Sequence, residues 1–406
     1  MPRIEKITIL KFIDHWVGGP ICVFLVLLYR ITHPFHKIHL HIPAKELPPK
    51  KILILKFIGM GSITLASSIV KNIRKKYKDT KIYFLTFKEN QEILDILSLA
   101  DKVMIIDPRN PWTLLKTIMG SLLFCWRERI DIALDIEFYS KFSTIMSFLS
   151  GARWRAGFYL ARYWRNSLIN VPIYFNQSRH ILEIFSMFTN ALLIDDPDLY
   201  PNEITTTDQQ KDELSVVLKE YQITDLNKVV GFNIHASDLA LCRRWPLKHF
   251  VFLVELFFQE NKDFNIVLTG AKKEVPYSQE FLGLLAPEYR QRIIDLTGKL
   301  SLRQFLTLVS QLPVFLTNDT GPFHLAKAVG ARTISLWGPG SIDLYGPFGH
   351  EKQVQEVIYK RHLCSPCLYI YRTNAGYFCG GQAPCMEDIH PGEVMDLLRM
   401  KLSQRK

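Results

Sequence analysis

Short apolar runs recur along this chain, each followed by a turn and then by a helical pattern. KILILKFI (51–58) leads through GMGS (59–62) to a helical pattern ending at Tyr77. KIYFLTF (81–87) leads to a helix near 90–98, KVMIID (102–107) to an amphipathic helix over 111–126, and IDIALDI (130–136) to one near 139–150. Runs this short suit buried strands better than helices. The polar stretch YPNEITTTDQQKDE (200–213) breaks the rhythm, which then restarts. KVVGFNIHA (228–236) precedes a helix over 246–260, and FNIVLTG (264–270), RIIDLTG (292–298), VFLTN (314–318) and TISLWG (333–338) follow. Strands that alternate with helices pair in parallel through right-handed crossovers. The sequence therefore predicts an α/β chain of two doubly wound, Rossmann-like halves, over 49–205 and 206–406. Ligands of such sheets bind beyond the carboxyl ends of the strands, and a cleft between halves is the expected site. The last helix, 390–406, carries acids early and bases late, as the helix dipole favours.

A chain of 406 residues exceeds one ordinary core. With 48% hydrophobic and 22% charged residues it is globular, and its seven cysteines do not make it a small disulfide scaffold. The formal net charge is +11. Residues 1–51 hold eight Lys/Arg against Glu5, Asp14 and Glu46. No basic block with interleaved aromatics marks a nucleic-acid module. The segment 1–48 is set apart by WVGGPICVFLVLLY (16–29). No small-residue cleavage site follows it, as a signal peptide requires. Fourteen residues cover about 21 Å as a helix, against a hydrocarbon core of about 30 Å. The expectation is an amphipathic helix over 5–30 lying in an anionic membrane surface, with Lys6, Lys11 and Arg30 near the headgroups. The alternatives are a helix packed on the protein's own body and a transmembrane span.

The strand-end turns carry the chemistry. Gly59 and Gly61 in GMGS let a backbone approach a ligand closely. DIEF (135–138) offers Asp135 and Glu137 as bases or as helix caps. HASDLALCRRWP (235–246) offers the Ser237 hydroxyl and the Arg243 and Arg244 guanidinium forks, which suit diphosphate oxygens. LTGAKKE (268–274) places Glu274 where a ribose could be held. TNDTGPFHLAKAVGARTISLWGPG (317–340) sets Asp319, Thr320, Gly321 and Pro322 at a helix start, where free N–H groups attract phosphate.

These segments together, with TGKLSLRQFLTLVS (297–310), resemble glycosyltransferase family 9, the heptosyltransferase-like enzymes; NDTGPFHLAKA is the most specific block. The resemblance covers residues 50–400. It implies a GT-B fold with an acceptor half and a half that binds a nucleotide-diphospho-sugar, ADP-heptose above others. It implies inverting transfer without a catalytic metal, to a lipopolysaccharide-type or lipid-linked acceptor at the cytoplasmic face of the inner membrane. By the same resemblance Asp319, Thr320 and Gly321 touch the donor, Pro322 and His324 shape that turn, and Ser237 and Arg243 contact the donor. One position departs: where the family carries Gly-Asp, with the Asp as base, this chain has Gly61-Ser62. A lone serine hydroxyl is a poor base. Either Glu137 or Asp135 has taken the role, or the acceptor needs little base help, or the protein binds without transferring. A nucleotide-sugar epimerase on a similar fold is a further reading.

Cys364, Cys367, Cys379 and Cys385 form a C-x2-C, C-x5-C set that could be a structural zinc site, reduced thiols or disulfides.

Overall fold

The computed structural model describes residues 14–33, 37–160, 164–236, 240–368 and 379–404. The chain divides into two units, Met1–Asn202 and Glu203–Lys406.

The first unit holds six strands: β1 (Lys51–Leu55), β2 (Lys81–Phe87), β3 (Lys102–Ile106), β4 (Ile132–Asp135), β5 (Trp154–Tyr159) and β6 (Val171–Tyr174). All pair in parallel, in the order β3-β2-β1-β4-β5-β6. The chain leaves β1 toward β3 and returns to β4 on the other side of β1, so Leu55 and Asp135 end up paired at the reversal. The helices are α1 (Gly18–Thr32), α2 (Met60–Lys76), α3 (Gln91–Ile96), α4 (Pro111–Glu128), α5 (Lys141–Leu149) and α6 (Ile181–Ala191). Contacts join α2 to α6, while α4 and α5 share one apolar cluster with Leu53 and Leu55, through Leu122, Cys125 and Met146.

The N-terminal helix differs from its expected bounds. The described helix is Gly18–Thr32, preceded by a helical turn from Asp14; residues 5–13, with Lys6 and Lys11, lie outside the described residues. Asp14–Thr32 is longer than the apolar run in the sequence, and is long and apolar enough to cross a membrane. Its inner stripe, however, is packed: Cys22, Leu25 and Val26, spaced i, i+3 and i+4, lie against Ile145 and Leu168. Asp14 adds a polar tie. Its Oδ1 accepts from the Phe142 N–H at 2.8 Å and the Ser140 hydroxyl at 3.0 Å, and its Oδ2 accepts from the Lys141 N–H at 3.2 Å. An acid at the start of α5 also suits that helix's dipole.

The second unit repeats the plan with β7 (Val229–Asn233), β8 (Asn265–Leu268), β9 (Ile293–Asp295), β10 (Phe315–Asn318), β11 (Thr333–Trp337) and β12 (Glu356–Tyr359). The order is β12-β11-β10-β7-β8-β9, all parallel, with Asn233 and Thr317 paired where the order reverses. Its longer helices are α7 (Asp208–Glu220), α8 (Leu247–Glu260), α9 (Val275–Gly283), α10 (Leu302–Gln311), α11 (Gly321–Ala328) and α12 (Pro391–Ser403). A core of Val230, Phe232, Trp245, Phe250, Phe257, Leu316 and Leu336 fills one face, and Val229, Leu308, Phe315 and Ala326 fill the other.

The cap at α5 gives a direct test. Asp14→Ala should cost about 1 kcal/mol, as cap losses do. It should also speed proteolysis within residues 14–33 without changing far-UV circular dichroism. An unchanged cleavage rate would mean that the apolar stripe alone holds α1.

Candidate functional site

Each unit gathers its polar residues where the strand order reverses, the position at which doubly wound sheets bind ligands. In the first unit the gathering is a clamp. Lys56, the charged residue inside KILILKFI, is 1% exposed and meets Glu137 Oε1 at 2.7 Å. The other donors to Glu137 are backbone: Phe57 at 2.8 Å and Ile58 at 3.0 Å to Oε2, and Phe138 at 3.1 Å to Oε1. Four donors fill the four lone-pair positions of a carboxylate. Glu137 thus ties the end of β1 to the end of β4 and holds the turn that leads into Gly59. That glycine has φ +92°, which a Cβ would strain, and it starts α2. Gly61 and Ser62 lie in the first turn of α2, and the Ser62 hydroxyl is buried without a protein partner.

Asp135 sits deeper. It accepts from the Thr144 hydroxyl at 2.8 Å and from the Glu137 N–H at 3.3 Å, with Arg165 at 4.0 Å. Burial pushes its carboxyl up from 3.8 to about 6, against the pull of Arg165. Burial likewise pulls the Arg165 guanidinium down.

In the second unit the turn 318–322 is built on buried hydrogen bonds. Asn318 Oδ1 accepts from the Trp245 N–H at 3.1 Å, and Asn318 Nδ2 donates to the His235 carbonyl at 3.0 Å. The Trp245 ring is fully buried and donates from Nε1 to the Ile389 carbonyl at 2.9 Å. Asn318 thereby pins the turns after β7 and β10 to each other. Asp319 is buried, which raises its pKa, while Arg243 Nη1 at 3.8 Å opposes the shift. Gly340 closes over it: a Cβ there would lie 1.9 Å from Asp319 Oδ2. Thr320 is 4% exposed and its hydroxyl donates to the Asn318 carbonyl at 3.3 Å. It therefore does not cap α11, whose first turn carries Pro322 and has no side-chain cap. The N–H groups at this helix start are those an anion would use, rather than the Thr320 hydroxyl.

The other expected residues fall as follows. Arg244 lies over the Tyr277 ring at 4.0 Å. Glu274 Oε2 accepts from the Ala271 N–H at 2.7 Å and closes its own turn. His324 is buried one turn into α11. Ser237 lies outside the described residues. His235, which the sequence reading passed over, is kept neutral: burial first, then Arg244, pull its pKa from 6.5 to about 4. Its Nε2 meets the Ser278 hydroxyl at 3.1 Å, and Gly270 leaves room for the ring. Lys56, Asn318 and Gly340 were also passed over. Lys56 alone left a signal, as a charge within a buried run.

The late cysteines brace this turn. The Cys367 and Leu368 N–H groups donate to the Pro339 carbonyl at 3.1 and 2.9 Å, and Cys385 Sγ lies where a Cβ on Gly338 would meet it at 2.8 Å. Among the described residues no disulfide forms, and no three His, Cys, Asp or Glu side chains stand close enough to hold a metal ion. The arrangement therefore lends no support to zinc at Cys364, Cys367, Cys379 and Cys385.

Two measurements probe the first unit. Removing the charge with Glu137→Gln leaves Lys56 buried and unpaired. It should cost about 3–5 kcal/mol in denaturant unfolding. A wild-type midpoint would instead free Glu137 for a role as base. Asp135 has a folded pKa above its unfolded 3.8, so the folded state holds that proton more tightly between pH 3.8 and about 6. Stability should fall as pH rises through this window, and Asp135→Asn should flatten the fall. A pH profile identical to wild type would place the carboxyl's titration elsewhere.

Residues 127–377, more than half of the chain, match the model of glycosyltransferase family 9 (heptosyltransferase). The chain is 26% identical over 192 residues to lipopolysaccharide heptosyltransferase 2 of Salmonella typhimurium, covering 47% of this chain and 52% of that one. It is 23% identical to lipopolysaccharide heptosyltransferase 1 of Campylobacter coli over 71% of this chain and 84% of that one. The first of these alignments spans about half the length of the curated relative. Among solved structures, E. coli ADP-heptose LPS heptosyltransferase II has a TM-score of 0.69 at 20% identity, over 87% of this chain and 99% of that one. A family 9 glycosyltransferase of Veillonella parvula gives 0.70 at 16% identity, over 88% and 98%.

Proposed function

The chain belongs to glycosyltransferase family 9, and from that premise we propose that it moves a heptose from ADP-heptose to a lipopolysaccharide-type acceptor. The observation that carries this reading is the uncapped start of α11 beside the buried Asp319 and Arg243. An acceptor hydroxyl oxygen attacks the anomeric carbon. The bond from that carbon to the diphosphate oxygen breaks, and the diphosphate leaves with the electron pair. The N–H groups of the helix start and the Arg243 guanidinium stabilise the charge that develops on it. The acceptor proton passes to water or to an oxygen of the departing diphosphate in the same displacement. The filled lone pairs of Glu137 favour a reaction that needs little base help, with Glu137 as the anchor of the acceptor-side turn. Asp135, protonated more readily than an ordinary carboxyl, is the alternative acceptor of that proton. Positioning and leaving-group stabilisation then supply most of the rate. No metal enters the reaction. The second unit holds the donor and the first holds the acceptor. Helix α1, with Arg30, keeps the protein at the cytoplasmic face of the inner membrane, where such an acceptor is made.

The test is ADP release from ADP-heptose with and without a heptose-free lipopolysaccharide acceptor. Release should require the acceptor and persist in EDTA. ADP-heptose should raise the thermal midpoint of the wild type. Gly340→Ala, which displaces Asp319, should weaken donor binding at least about tenfold, or 1.4 kcal/mol. Release without acceptor would indicate a hydrolase or epimerase. A thermal shift without turnover would indicate a binding protein. A shift with UDP-sugars alone would replace the donor.

A further inference from the structure

Helix α4 carries a second apolar face, separate from α1. Trp112, Leu115, Met119, Leu123 and Trp126 are all exposed, Trp112 at 81%. Their spacing of three and four residues places them within an arc of about 80° on the helix, at about 100° per residue. Five large apolar side chains in one stripe exceed the scattered singles that a soluble surface normally shows. The neighbouring face, with Leu122 and Cys125, is in the core.

Two further observations say what covers the stripe. The first is charge. Lys116 and Arg127 are exposed along one edge of it. The one acid of α4, Glu128, is paired with Lys51 at 2.8 Å and accepts from the Tyr83 hydroxyl at 3.0 Å. The stripe therefore meets solvent beside exposed positive charge. The second is continuity. The Trp126 ring donates from Nε1 to the Leu149 carbonyl at 2.7 Å, tying α4 to the end of α5. Leu149 packs against the clusters of both α4 and α1. No residue of α5 is exposed. The outward face of α1 is apolar too, with Ile21, Phe24, Leu27, Leu28 and Ile31 exposed, and Trp16 is exposed in the turn before it. Helix α5 thus links α4 and α1, whose exposed apolar faces are bordered by Lys116, Arg127 and Arg30.

We propose that the α4 stripe is a second membrane contact, seating the first unit on an anionic bilayer with Trp112 at the headgroup level. This builds on the peripheral-membrane reading of α1. Tryptophan prefers that depth, where its ring is in the apolar boundary and its N–H is near water. Cationic residues beside an apolar helix face add attraction to acidic lipid. Two helices of the first unit, rather than one, fix its orientation against the membrane.

The test uses the full chain and sedimentation with vesicles of phosphatidylcholine, with and without phosphatidylglycerol. The α4 variant is Leu115→Gln/Leu123→Gln, and the α1 variant is Phe24→Gln/Leu28→Gln. Both change exposed positions, and a thermal midpoint matching wild type verifies the fold of each. The expected result is that the α4 variant lowers partition to acidic vesicles at least about tenfold, and that Lys116→Glu/Arg127→Glu removes the dependence on phosphatidylglycerol. If the α4 variant partitions like wild type while the α1 variant does not, the α4 contact is wrong and the α1 reading stands. Loss in the α4 variant alone keeps the α4 contact and removes the α1 reading. A wild-type dimer that the α4 variant turns into a monomer would assign the stripe to a second copy of the chain and overturn the proposal.

Discussion

Parallel pairing with right-handed crossovers is the constraint on which everything else depends. It sends helices to both faces of each sheet and leaves the strand ends uncovered by them. Where the order reverses, at β1/β4 and again at β7/β10, adjacent crossovers diverge and no helix shields the strand ends. Both polar gatherings sit there. A polar group at a strand end cannot join the ladder, so it must find side-chain partners or a ligand. Asn318 and Glu137 are the two solutions this chain uses, one neutral and one charged.

The two gatherings differ in how much they leave open. Around Glu137 the donors and acceptors balance, and a balanced buried charge is worth little beyond fixing geometry. Its value lies in the shape of the turn from Lys56 to Gly59. Around Asp319 a buried carboxyl with a raised pKa faces the Arg243 guanidinium, whose Nη1 is 3.8 Å away. An anion arriving at α11 would compete with Asp319 for that guanidinium.

Much of the fold could be read in the sequence because its strands are continuous apolar runs, the mark of strands buried on both faces. Four elements could not be read this way. β5 carries Arg155 inside the sheet, where the guanidinium donates to the Leu168 and Ala152 carbonyls. β6 contains Pro172 and, like β12, lies at a sheet edge. Helix α6 is largely buried, and the polar face that marks its period is only a narrow stripe, Glu183, Ser186 and Asn190. The site was readable to the level of turns. NDTGP was legible because turn chemistry at a helix start has few uses. The partners were not: Asn318 with Trp245, Lys56 with Glu137 and Gly340 with Asp319 are far apart in sequence, and only folding brings them together.

Glu137 shows why residue type alone misleads. A carboxylate at a strand end looks like a base, and the serine at position 62 made that expectation stronger. Yet a base must keep a lone pair open, and folding gave all of them to Lys56 and three backbone N–H groups. Just past those donors Gly59 bends the chain through a positive φ. The same bend sets Gly61 and Ser62 at the start of α2. Position 62 therefore inherits its place from the Glu137 clamp, and a change there can alter proton handling without disturbing the turn. That separation between what shapes the turn and what stands on it would allow a family to vary its acceptor chemistry while the fold stays fixed.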